Sequence, residues 1–180
     1  MGFKTIDSKH IFSGRAIHLW KEQVVYPDGR KVSIEVLKHP GSIGILPLDD
    51  QGHIWFVRQY RHPTGGMLLE LPAGTLETGE DPKSTAAREI REEIGMAAET
   101  ITPIGKLYLA PGYSTELMHL FLATGLTPDA LELDPGEYLE VEKYPVEEVY
   151  RMLDRGEIID GKSVAILGLM RTRLLGKDRA

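Results

Sequence analysis

Residues 74–96 read GTLETGEDPKSTAAREIREEIGM, and this stretch decides the fold. Asp81 is a good N-cap, Pro82 suits the first helical position, and Gly95 can end the helix in a left-handed conformation. The helix so bounded carries Glu89, Glu92 and Glu93 at i+3 and i+4 spacing, so all three share one face. At about 100° per residue they span an arc of roughly 100°, beside an apolar stripe of Ala86, Ile90 and Ile94. Like charges at this spacing cost about 0.2–0.5 kcal/mol per pair unless something positive lies between them. A hard divalent cation with oxygen ligands meets that need, Mg²⁺ foremost and Mn²⁺ next. Taken alone, the three glutamates also fit a solvated acidic face.

Outward from the helix, turn residues divide the chain. Pro27-Asp28-Gly29 separates Ala16–Tyr26 from Lys31–His39, and Asp49-Asp50-Gln51-Gly52 separates Ser42–Leu48 from His53–Tyr60. Each pair reads as a β-hairpin. Met67–Leu71 reads as a short strand ending at Pro72, and Ile104–Leu109 and Leu117–Thr124 as buried strands. Gly125–Gly136 reads as a loop, Tyr138–Lys143 as a strand, and Val146–Leu153 and Val164–Leu175 as helices. Strands interleaved with few helices predict a mixed α/β (α+β) layered domain.

Charge and composition narrow the chemistry. A formal net charge of -6 argues against a nucleic-acid partner, which calls for a basic face. The same charge repels a phosphate-bearing substrate, so phosphate chemistry here calls for a metal. No cysteine is present, which excludes disulfides, zinc thiolates and thiol catalysis, and the six histidines contain no i,i+4 pair. No apolar run approaches the ~18 residues of a membrane span. The N-terminal MGFKTIDSKH has no apolar leader stretch, so a soluble cytoplasmic protein without a membrane partner is the expectation.

The spacing in 74–96 identifies a family. Gly74, five residues, Glu80, seven residues, then Arg88-Glu89-Ile90-Arg91-Glu92-Glu93-Ile94-Gly95-Met96 resembles the Nudix box of hydrolases that cleave nucleoside diphosphates linked to another group. A chance match is of order 10⁻⁸ per window. The resemblance implies a Nudix fold, a mixed β-sheet sandwiched between helices. It further implies that Glu89, Glu92, Glu93 and the Ala73 carbonyl bind the metal, and that Arg88 orients the carboxylates.

Beyond the box, Val57-Arg58-Gln59-Tyr60-Arg61, Leu69–Gly74, Ala110–Glu116 and Gly136–Val141 are similar to the ADP-ribose pyrophosphatase branch. That similarity implies that Arg61 contacts the diphosphate, that Pro111 and Gly112 shape the substrate site, and that Glu116 holds the terminal ribose. Glu137, which would bind metal or activate water, is then the first candidate for the catalytic base, with Glu92 or Glu93 second. It also implies a homodimer whose N-terminal sheets, residues 1–40, exchange beside a catalytic domain of residues 41–180. Arg15, Ile17, Trp20 and Glu35 fall in the part that would complete the partner's adenine pocket. The expected activity is metal-dependent hydrolysis of ADP-ribose or a related nucleoside diphosphate sugar. GDP-mannose or UDP-sugar hydrolysis and a non-catalytic ADP-ribose sensor are the alternatives.

Gly156–Ser163 fits the spacing of a phosphate-cradling loop, but a helical segment precedes it where such a loop needs a strand. Gly156 reads instead as ending one helix, with Ser163 near the start of the next.

Overall fold

The computed structural model describes residues 2–14, 17–77, 79–132 and 138–176. Three antiparallel strands come first: β1 (Lys4–Ser13), β2 (His18–Val25) and β3 (Lys31–Leu37), joined in that order. β2 and β3 form the first expected hairpin; Ala16 lies outside the described residues. β1 was not legible in the sequence. All ten of its residues are exposed, and register shifts at Thr5/Asp7 and His10/Phe12 break the alternation that marks a strand.

The remaining strands are β4 (Ser42–Pro47), β5 (His53–Arg61), β6 (Gly66–Glu70), β7 (Ala73–Thr75), β8 (Met96–Tyr108), β9 (Leu117–Pro128) and β10 (Leu139–Pro145). Helices are α1 (Pro82–Ile94), α2 (Val146–Asp154) and α3 (Gly161–Leu175). Four strands form a mixed sheet in the order β7-β4-β9-β8, with β4 parallel to β9. Three more form the antiparallel order β10-β5-β6.

Every residue of β4 is buried, as a strand covered on both faces must be. Ile43 and Ile45 pack with Ala86, Ile90 and Ile94 of α1. Leu46 packs on the opposite side with Val149 of α2 and Ile166 and Leu167 of α3. The strands therefore lie between helices, in the layering that the family resemblance implied.

Three expectations need correction. The Asp49–Gly52 turn does not join two strands of one sheet: β4 and β5 belong to different sheets, and the ladder beside the turn is a single Leu48–Ile54 bridge. Both edges of β4 are already paired, by β7 and β9, and both edges of β5 by β10 and β6. Residues 104–108 are the end of a longer strand in which only Ile101 is buried, and Leu109 lies just beyond it. Lastly, β9 runs on through Gly125 to Pro128, where a loop was expected. Gly125 has φ 67°, and a Cβ there would stand 2.7 Å from Glu99 Cβ on the paired strand β8, so this glycine marks a close approach within the sheet and not a chain break. Residues 133–136 of the expected loop lie outside the described set.

Asp49 holds the inter-sheet turn. Its carboxylate accepts hydrogen bonds from the backbone N–H of Gln51 (3.0 Å) and His53 (2.9 Å) and from the Trp55 indole (3.1 Å). Burial alone would raise its pKa, but the His53 and Trp55 donors and Lys143 outweigh this and bring it down to about 2. A carboxylate whose folded pKa is depressed stabilises the fold above its unfolded pKa and loses that contribution as pH falls through the folded value. Asp49→Asn is therefore expected to cost on the order of 2 kcal/mol at neutral pH and little below pH 2. Urea melts between pH 2 and 7 check this; parallel stability curves for the two proteins would refute it.

Candidate active site

Helix α1 forms as its sequence directs: Asp81 accepts from Ser84 N at 3.0 Å, Pro82 starts it, and Gly95 ends it at φ 70°. With its apolar stripe buried, the adjoining flank turns Glu89 and Glu93 toward β7, and all three glutamates line one cleft. Glu93 is 4% exposed, and its Oε2 accepts from Ala73 N at 3.0 Å. Glu89 packs so closely on Gly74 that a Cβ there would fall 2.1 Å from Glu89 Cδ. The box glycine thus makes room for a carboxylate.

Arg88 neutralises part of this face. Its Nη1 donates to Glu92 Oε2 at 2.7 Å and lies 2.9 Å from Glu89 Oε1, while Nε is 3.5 Å from Glu80 Oε1. Burial works against the guanidinium charge, but Glu89 and Glu92 outweigh it and push the Arg88 pKa up. Among the described residues no three acidic or histidine side chains converge tightly enough to hold an ion as they stand, and Arg88 sits between two of them. The donors nevertheless suit a hard cation: three carboxylates and the Ala73 carbonyl, with space left by Gly74.

These residues form one wall of a cleft of about 580 Å³. Gln59, Arg61 and Lys162 line the same cleft. Arg61 at the end of β5 donates from Nε (2.9 Å) and Nη2 (2.8 Å) to the two oxygens of Glu70 on β6. Burial pushes the Glu70 carboxyl up, but Arg61 and Lys162 hold it below the usual carboxylate range. Glu70 in turn raises the Arg61 pKa. Glu116 also lines the cleft, its Oε1 accepting from Ser42 Oγ at 2.8 Å.

The cleft thus gathers Arg61, Ala73, Arg88, Glu89, Glu92, Glu93 and Glu116. Pro111 and Gly112 do not line it. They sit in a turn closed by Tyr113 N to Ala110 O (3.1 Å), against the end of β3, where Leu37 N donates to Tyr113 O at 2.7 Å. Their neighbours Ala110, Tyr113 and Ser114, with Ile17, line a smaller pocket of about 220 Å³ that shares Glu116 with the main cleft. Glu35 is exposed on β3 and lines neither pocket, and Trp20 stacks under Lys38 Nζ, 4.1 Å from the ring centroid. Arg15 and Glu137 lie outside the described residues.

Sequence reasoning missed Gln59, Glu70 and Lys162. Gln59 is 4% exposed on the cleft wall, and its Oε1 has no partner among the described residues. Lys162 belongs to the Gly156–Ser163 stretch. As expected, that stretch is a helix end and a helix start, with Gly156 at φ 72° after α2 and Ser163 N bonded to Asp160, the N-cap of α3. The phosphate-loop spacing was a false lead for the backbone, yet its lysine reaches the cleft.

A family model described as the NUDIX domain matches residues 38–165. The chain is 40% identical over 162 residues to an ADP-ribose pyrophosphatase of Bacillus subtilis (strain 168), covering 89% of this chain and 88% of that one. It is 42% identical over 173 residues to an ADP-ribose pyrophosphatase of Mycobacterium tuberculosis (strain ATCC 25618 / H37Rv), covering 93% and 82%. A crystal structure of an ADP compounds hydrolase superposes with a TM-score of 0.88 at 25% identity, covering 100% of this chain and 98% of that one. Glutamates on α1 meeting β7, helices on both sides of the strands and a family match across most of the chain agree, and the chain belongs to the NUDIX family of hydrolases.

Proposed function

We propose that this enzyme hydrolyses the pyrophosphate bond of ADP-ribose, giving AMP and ribose 5-phosphate, with Mg²⁺ or Mn²⁺ as cofactor. The observation that carries this reading is one shared cleft: the α1 carboxylates and the Arg61 guanidinium both line it. A diphosphate bound there meets an arginine. Glu89, Glu92, Glu93 and the Ala73 carbonyl would hold the divalent ion. When bound, that ion supplies Lewis-acid activation of the phosphorus and of a water.

The side chains do the rest. Arg61 commits Nε and Nη2 to Glu70, so Nη1 is the edge it can offer a phosphate oxygen. Glu116, which accepts from Ser42, would also accept from a ribose hydroxyl. A carboxylate must take the proton of the attacking water, within about 3 Å or through one further water. Glu137 is the first candidate for that base and Glu92 or Glu93 the second. The described chain resumes beside the cleft wall, with Tyr60 N donating to Tyr138 O at 3.3 Å.

The proposal includes a homodimer. β1 is exposed along its whole length and, with its flanks, carries Phe3, Ile6, Ile11, Phe12 and Ile17 in the open, a surface suited to exchange with a second copy. Arg15, Glu35, Pro111 and Gly112 would then act near the nucleoside end of the substrate. Among the described residues no helix is long and apolar enough to cross a membrane.

The test is AMP release from ADP-ribose with and without Mg²⁺, run beside GDP-mannose, a UDP-sugar and a nucleoside triphosphate. Fast release from ADP-ribose only when metal is present is the expected result. Preference for another sugar nucleotide would overturn the substrate, and tight ADP-ribose binding without turnover would make the protein a sensor.

A further inference from the structure

The Arg61–Glu70 pair is tied into a larger buried charge network. Lys162, in the first turn of α3, is 7% exposed and donates to Glu70 Oε2 and, at 2.9 Å, to Asp160 Oδ2. Glu70, 2% exposed, divides its two oxygens: Oε1 takes Arg61 Nε, and Oε2 takes both Arg61 Nη2 and Lys162. Asp160 is anchored by Ser163 N (3.0 Å) and Ser163 Oγ (2.6 Å), and Ser163 Oγ accepts from Leu71 N at 2.7 Å. The first turn of α3 is thereby fastened to the strand that carries Glu70.

Charge balance gives the network its purpose. Arg61 and Lys162 offset Glu70 and Asp160, leaving this wall neutral. Without Lys162 the wall becomes net negative, in a cleft shared with three glutamates and against an anionic substrate. One buried Glu70 oxygen also loses a donor, and an under-compensated buried carboxylate pulls harder on its remaining partner. That partner is Arg61. Both cations line the cleft, but the Arg61 side chain is 40% exposed and that of Lys162 is 8%, so Arg61 is the more accessible and Lys162 the more deeply set.

We infer that Lys162 is a positioning residue: acting through Glu70, it fixes the Arg61 guanidinium on the cleft wall and keeps that wall from repelling a diphosphate. The inference rests on the proposed diphosphate substrate. Its effect belongs to binding of the anion, so it is read in KM and not in the chemical step.

The experiment uses the full chain with Lys162→Met, which removes charge and bond, and Lys162→Gln, which removes the charge and keeps a donor. Steady-state kinetics on ADP-ribose with Mg²⁺ at several salt concentrations are combined with the Arg61 Nε–H resonance of the substrate-free protein, assigned by its loss in Arg61→Lys. KM is expected to rise about tenfold with kcat within about threefold of wild type, the penalty shrinking as salt screens the wall. The Arg61 signal is expected to shift in both variants, and Lys162→Arg to restore KM to within about threefold. A lowered melting temperature with unchanged KM and an unmoved Arg61 signal would overturn the inference in favour of a purely structural lysine. A fall in kcat at constant KM would overturn it in favour of direct contact with the reacting groups. If wild type cleaves no ADP-ribose, the substrate reading fails, and the Arg61 signal still decides whether Lys162 holds that side chain. If Lys162→Met does not fold, Lys162→Gln gives the same decision.

Discussion

Glu93→Gln is expected to lower kcat by at least two orders of magnitude while the protein stays folded. The substitution keeps the volume of a residue that is 4% exposed, and the amide oxygen can still accept from Ala73 N, the 3.0 Å bond that ties α1 to β7. What disappears is one negative charge from a face whose remaining carboxylates, Glu89 and Glu92, are both in contact with Arg88. With Glu93 neutral, Arg88 balances half of what is left, and the face attracts a divalent cation far less strongly. A hundredfold loss corresponds to about 2.7 kcal/mol of transition-state stabilisation. Rates measured across a Mg²⁺ titration, beside thermal melts, check both halves of the statement. Near-wild-type turnover at saturating metal would remove Glu93 from the metal site.

Helix α1 could be read from the sequence because its signals are local. Asp81, Pro82 and Gly95 act within one turn of the helix ends, and the structure uses all three as read. The acidic wall of the cleft was legible for the same reason, since Glu89, Glu92 and Glu93 are placed by helix geometry alone. The rest of the cleft was not. Glu70 and Lys162 are 92 positions apart, and nothing local to either names the other. Glu70 sits in a run ending at Pro72 that reads as an ordinary strand, and Lys162 sits in a spacing suited to a different fold. The Asp49–Gly52 turn misled because turn chemistry fixes a reversal of the chain, whereas the sheet each strand joins depends on which edges distant strands fill. β1 escaped because an exposed strand with two irregularities carries no period of two.

Gly74→Ala is expected to cost at least a hundredfold in kcat/KM and only a few degrees in melting temperature. A Cβ at this position would stand 2.1 Å from both Glu89 Cδ and Glu89 Oε1, far inside van der Waals contact. The backbone itself tolerates alanine, because Gly74 is not among the glycines with positive φ. The clash is with the far end of a flexible side chain, so the cheapest relief is for Glu89 to swing away while β7 keeps its pairing with Ile43. Stability is then nearly spared, but the carboxylate leaves the cleft and Arg88 loses its 2.9 Å contact. Activity loss without unfolding separates this account from one in which the glycine merely permits a turn. A double-mutant cycle sharpens it, since residues acting through one contact are not additive. Gly74→Ala combined with Glu89→Gln should be no slower than the slower single variant, because both act on the same carboxylate. If the two losses multiply instead, Gly74 serves the site by a route other than making room for Glu89.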